Sequence, residues 1–109
     1  MKDNTVYLKH ISDAIAQIQN YLEQKSFQEF MANKMAQDAV VRQPEIIGEA
    51  ARNLSDDFCT LHPEIPWSQI IGMRNRIAHD YLSVDMEIVW DIVTDDLPTL
   101  KLRVAELLC

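Results

Sequence analysis

Apolar side chains recur at helical spacing from one end of this chain to the other, and that pattern limits what it can fold into. Leu8, Ile11, Ile15, Ile18 and Leu22 step by three and four, which lines up one stripe on a first helix of about 20 residues. Ser26, followed three positions later by Glu29, reads as a capping box that opens a second helix. Phe27, Met31 and Met35, then Val40, Ile47, Leu54 and Leu61, continue a buried face. That segment is too long for one straight helix in a compact domain. Pro44 marks the expected kink or break, because it lacks an N–H and clashes with the preceding turn.

Residues 59–66, CTLHPEIP, read as a loop punctuated by Pro63 and Pro66. Pro66 suits the start of a third helix, WSQIIGMRNRIAH, with Ile70, Met73 and Ile77 facing inward. After a turn at Leu82–Asp85, a fourth helix carries Met86, Val89, Val93, Leu97, Leu100, Val104 and Leu107 inward, with Pro98 bending it. Gly48 and Gly72 read as close helix approaches, since glycine otherwise costs helix stability. Met31, Met35 and Met73 are expected in the core; of Trp67 and Trp90, one is expected at an interface. With two glycines and four prolines in 109 residues, there are too few turn formers for an all-β domain. The expectation is one domain over residues 1–109: an all-α, antiparallel four-helix bundle with kinked second and fourth helices.

The charge balance narrows the function. Seventeen acidic against ten basic side chains leave a formal charge of −7, which excludes a broad basic face, so any nucleic-acid contact must be local. No apolar run reaches the length of about 18 residues that a membrane span needs. The opening MKDNTVYLKH has neither the apolar run nor the cleavage site of a signal peptide. A cytoplasmic protein without a membrane partner is expected. Cys59 and Cys109 make no disulfide framework, and no His or Cys spacing fits zinc, so neither a metal nor a cofactor is expected.

One stretch departs from the packing pattern: Arg74-Asn75-Arg76-Ile77-Ala78-His79-Asp80-Tyr81. It gathers two guanidiniums, an amide, an imidazole and a phenol within eight residues. Arg-Asn, three residues, His, one residue, Tyr resembles the motif of the HEPN superfamily in its minimal HepT-like branch. IIGEAARNLS at 46–55, PWSQIIGMRN at 66–75 and VWDIVTDDLPTL at 89–100 are similar to that branch as well, so the resemblance covers nearly the whole chain. It implies a homodimeric, metal-independent endoribonuclease acting as the toxin of a bacterial toxin–antitoxin pair. It also implies an antitoxin partner, a small nucleotidyltransferase of the MNT type that transfers AMP to the motif tyrosine, here Tyr81.

These residues suit that chemistry. Cleaving RNA without a metal uses the neighbouring 2′-OH as nucleophile, a base for its proton and an acid for the departing 5′ oxygen. Histidine fills either role near neutral pH, and an arginine fork matches the charge that builds on the phosphate oxygens. Arg74 and His79 are therefore the catalytic candidates. Two protomers could bring His79 and its mate to one RNA phosphate, which favours a twofold dimer. Positions 74 and 79 lie about 140° apart around an α-helix, whereas Asn75 and His79 share a face. Asn75 is accordingly assigned to orienting His79 or contacting phosphate, and Arg74 reaches the cleft by its length or from across the dimer axis.

Blander roles stand beside these. Arg76 reads as a second phosphate contact or as the partner of Asp80 at i+4. Tyr81 reads as a modification site or as a packing aromatic with its hydroxyl at the rim. Arg42 and Glu49, seven apart, read as a structural ion pair, and His10 and His62 as solvated. Asp91, Asp95 and Asp96 form a solvated acidic face or a dock for a basic partner. The competing function is a non-catalytic, nucleotide-binding partner subunit of a nucleotidyltransferase, which the net acidity favours.

Overall fold

The computed structural model describes residues 3–77 and 85–108; within it the side chains of Arg74 and Ile77 are likewise left undescribed. The first element, α1 (Asn4–Leu22), forms where the sequence places it. Asp3 caps it by accepting from the Thr5 N–H, and Leu8, Ile11, Ile15 and Ile18 are buried along one face. The capping box is present in full: the Ser26 hydroxyl accepts from the Glu29 N–H and the Glu29 carboxylate accepts from the Ser26 N–H.

That box opens only a short helix, α2 (Phe27–Ala32). The chain breaks at Asn33, whose side chain accepts from the Ala36 N–H and starts α3 (Lys34–Arg52). Pro44 lies buried inside α3 without ending it. Two assigned core positions are corrected as a result. The break at Asn33 swings Met31 and Met35 off the buried stripe, leaving them 41% and 83% exposed, and Phe30 becomes the buried residue of α2. Met73 is buried as expected.

Past α3, the expected loop is partly helix. Ser55 caps α4 (Asp56–Leu61) by accepting from the Phe58 N–H, and Leu61 at its end is 74% exposed rather than buried. Pro66 precedes α5 (Trp67–Ile71). The third helix then divides at Gly72, beyond which runs α6 (Met73–Ile77). Trp67 is buried and its indole N–H donates to the His62 carbonyl at 3.0 Å, so it is a core residue with its polar atom satisfied. Gly48 is a close approach, as expected: a Cβ there would meet the carbonyls of Ile70 and Ile71. Gly72 is not, because a Cβ there would meet only the carbonyls of Ser68 and Gln69 in its own preceding turn.

The last stretch comprises α7 (Met86–Asp91), a π-helical turn (Ile92–Asp96) and α8 (Leu97–Leu108). Asp85 caps α7, accepting from the N–H groups of Glu87 and Ile88. Pro98 is the second residue after the π turn. A proline at that place leaves a carbonyl of the preceding turn without its usual donor, and a wider turn accommodates the ring. Val89, Ile92, Val93, Leu97, Leu100 and Val104 are all buried.

The packing is antiparallel where side chains tie the helices. Asn4 at the start of α1 exchanges hydrogen bonds with Ser55, just past the end of α3. Lys101 near the start of α8 donates to Gln19 near the end of α1 at 2.9 Å. The apolar faces of α1, α3, α5 and α8 merge into one cluster, and no strand occurs among the described residues. The protein is an all-α helical bundle. None of its described helices is long and apolar enough to cross a membrane.

Candidate active site

Helix α6 carries Arg74, Asn75 and Arg76, the first residues of the motif. Its first residue, Met73, is buried against the core, while Asn75 and Arg76 are exposed. The Gly72 carbonyl accepts the N–H groups of Asn75 at 2.9 Å and Arg76 at 3.2 Å, starting the new helix immediately after the old one stops. On its inner side α6 packs on α3, and on its flank on α7. Arg74 lies on this helix; its side chain, together with His79, Asp80 and Tyr81, falls outside the described residues. The structure therefore places Asn75 and Arg76 side by side at the bundle surface.

Arg76 pairs with a residue distant from it in sequence. Its guanidinium stands 3.3 Å from a carboxylate oxygen of Asp96, in the π-helical turn. This carboxylate comes from across the groove, 20 positions along the chain; the expected i+4 partner, Asp80, lies outside the described residues. Asp91 and Asp95 line the same groove with Arg76, Ile88 and Ile92. A neighbouring groove of about 310 Å³ is floored by Ile70, Met73, Leu97 and Leu100, with Arg76, Asp96 and Arg103 at its rim. The expectation that Asp91, Asp95 and Asp96 form a solvated face holds for their exposure, but Asp96 also binds the motif helix.

The other singled-out residues sort by geometry. Glu49 pairs with Arg52 at 3.4 Å and not with Arg42. Seven residues along an α-helix span about 10 Å, whereas a residue at i+3 is adjacent. Arg42 and Glu49 instead share the lining of a shallow groove between α1 and α3 with Tyr7, His10 and Asn53. His10 is exposed and lies edge-on to Tyr7. His62 is only half-exposed: it faces the Phe58 ring and its Nδ1 lies 3.5 Å from Glu64, so it is a packing residue of the α4–α5 turn. Burial and the Asp56 carboxylate push the Cys59 thiol above its ordinary value, which keeps it protonated and a poor nucleophile. Trp90 is half-buried against Phe27 and Phe30. Among the described residues no group of three or more His, Cys, Asp or Glu could hold a metal ion.

Comparison with known proteins places the chain in a family. Residues 11–107 match the family model described as Ribonuclease HepT-like. A protein of Thermococcus cleftensis named "Probable ribonuclease HepT" is 43% identical over 95 residues, covering 87% of this chain and 86% of its own length. A "Putative RNase" of Caldanaerobacter subterraneus subsp. tengcongensis is 35% identical over 108 residues, or 99% of this chain and 96% of that protein. A longer protein of Methanocaldococcus jannaschii, named "Gamma-glutamylcyclotransferase and putative RNase", is 37% identical over 107 residues. This chain spans about half of it (48%). No solved structure matches the chain significantly.

Proposed function

The chain belongs to the ribonuclease HepT-like family, and from that membership we propose that it is a metal-independent endoribonuclease, the toxin of a toxin–antitoxin pair. The observation that carries the reading is the Arg74-Asn75, His79, Tyr81 motif, which lies inside the matched residues 11–107. His79 removes the proton from the 2′-OH, or delivers one to the departing 5′ oxygen, and its mate in a second protomer does the other. The 2′ oxygen attacks the phosphorus, the 5′ oxygen leaves, and a 2′,3′-cyclic phosphate and a 5′-hydroxyl result. Arg74 holds the charge that develops on the non-bridging oxygens, and Asn75 orients His79 or contacts phosphate. DNA lacks the nucleophile and is not a substrate.

An MNT-type nucleotidyltransferase acts as antitoxin. It transfers AMP from ATP to the Tyr81 hydroxyl with release of pyrophosphate, and the tethered phosphate occupies the site that RNA would use. The competing reading, a non-catalytic partner subunit of such an enzyme, is favoured by the net charge of −7 and by the carboxylates beside Arg76. Labelled RNA incubated with the purified protein in EDTA separates the two. Cleavage with cyclic-phosphate ends, lost in His79→Ala, supports the ribonuclease. Strict dependence on magnesium, or undiminished cleavage by His79→Ala, overturns the mechanism, and no cleavage at all favours the partner subunit.

A further inference from the structure

We infer that the face formed by α2 and the first turn of α3 is where a second copy of this chain docks; this rests on the ribonuclease reading above, whose site needs two protomers. The bundle leaves that face short of cover. Phe27 and Met31, four residues apart on one side of α2, are both exposed. Met35, in the first turn of α3, is the most exposed large apolar side chain among the described residues. The Phe27 ring stands 5.6 Å from that of Trp90 on α7, and Trp90 stays only half-buried although Phe30 packs on it at 5.4 Å. The Gln37 side-chain amide donates to the carbonyls of Phe30 and Met31 at 3.0 and 2.9 Å, which ties the end of α2 to the start of α3. Exposed leucines elsewhere are different: Leu61 and Leu102 are each the lone exposed large apolar side chain of their helices among the described residues, and scattered ones need no partner.

Charge selects the occupant. The chain carries −7, so two copies repel wherever their acidic surfaces meet. The groove lined by Asp91, Asp95 and Asp96 is such a surface. The segment from Lys25 to Asp38 is not: its charged residues are Lys25, Glu29, Lys34 and Asp38, which cancel. Glu29 is already engaged by the Ser26 N–H. Lys34 and Asp38 form an exposed pair at 3.6 Å, one turn apart on α3. A twofold axis beside them sets Lys34 of one copy against Asp38 of the other, and the reverse, with no like charges opposed. A strongly basic partner would find no net charge here to draw it. Glu87, a turn before Trp90 on α7, lies at the border, where a solvated rim charge does not oppose docking. The side chains suit an interface as well. Tryptophan, phenylalanine and methionine are enriched at interface centres, and the flexible methionine thioether repacks around a mate. Trp67 is taken into the core, so Trp90 is the tryptophan left for an interface.

The test is sedimentation equilibrium of wild type, Met31→Lys with Met35→Lys, Lys34→Glu, the swap Lys34→Glu with Asp38→Lys, and Leu102→Lys as a control on α8. Far-UV circular dichroism checks that each keeps its helix content. Wild type should be a dimer at micromolar concentration. The double lysine variant should weaken the dimer by about tenfold or more in Kd, and Leu102→Lys should leave it unchanged. Lys34→Glu should weaken it too, and the swap should recover most of that loss. A monomeric wild type overturns the inference, as does a dimer that the double variant leaves intact or that Leu102→Lys breaks as readily. Failure of the swap to recover overturns the cross-pairing on which the choice of a second copy rests. Should the double variant lose helix, Lys34→Glu and its swap, both at exposed positions, decide the matter. Labelled RNA keeps this inference apart from the ribonuclease reading. If wild type cuts no RNA but the dimer weakens as described, the docking face stands and the ribonuclease reading fails. If wild type cuts RNA as a dimer indifferent to these substitutions, the ribonuclease stands and the docking face is refuted.

Discussion

Gly48 of α3 lies against the end of α5: a Cβ built on it would stand 3.2 Å from the carbonyl oxygen of Ile71 and 3.3 Å from that of Ile70. The two helices meet backbone to backbone there, immediately before Gly72 and the motif helix. Gly48→Val should therefore destabilise the bundle by about 2 kcal/mol, in the range typical of overpacking. Gly48→Ala should cost less, since alanine gains about 1 kcal/mol of helix propensity over glycine. Urea unfolding measures both, and a wild-type midpoint for the valine variant would mean that α5 moves aside freely.

Asn33 ends α2 and begins α3, its side chain accepting from the Ala36 N–H at 3.0 Å. Asn33→Ala should cost about 1 kcal/mol through the lost cap, and Asn33→Asp should largely preserve it. Chemical denaturation is the measurement. Equal stability of all three proteins would show that the cap is dispensable.

A shared site requires two protomers. The motif contains one histidine per chain, and the cleavage step needs both a base and an acid. Light scattering at micromolar concentration should give about twice the chain mass. A fully active monomer would refute the shared-site mechanism.

Tyr81 should carry AMP after co-expression with the antitoxin. Intact and peptide mass spectrometry should find the mass of AMP less water on the Tyr81 peptide. Tyr81→Phe should lose the addition and escape neutralisation while still cutting RNA. An unmodified Tyr81 in silenced protein would show inhibition by binding alone.

The features legible in the sequence are those made by near neighbours. The α1 stripe follows from positions three and four apart, and the Ser26–Glu29 box from groups three residues apart. The alternation that buries Val89, Val93, Leu97, Leu100 and Val104 follows from the same periodicity. The Arg74-Asn75, His79, Tyr81 candidates were likewise visible because the motif is contiguous in sequence. Met31, Met35 and Leu61 are exposed where periodicity predicts burial, because periodicity presumes a helix that continues. Asn33 restarts the helix in the first case, and in the second α3 ends at Arg52 and Ser55 caps a new helix, α4.

What the sequence by itself determined is the all-α class, the helix starts marked by Ser26 and Pro66, and the stripe on each long helix. Only the tertiary structure decided that Gly48 touches Ile71, that Trp67 is core, and that Arg76 meets Asp96. Helix propensity, capping and periodicity act between residues a turn apart, and those are fixed by the order of the chain. A contact between residues 20 positions apart depends on which faces the hydrophobic core brings together, and that is a property of the packed bundle.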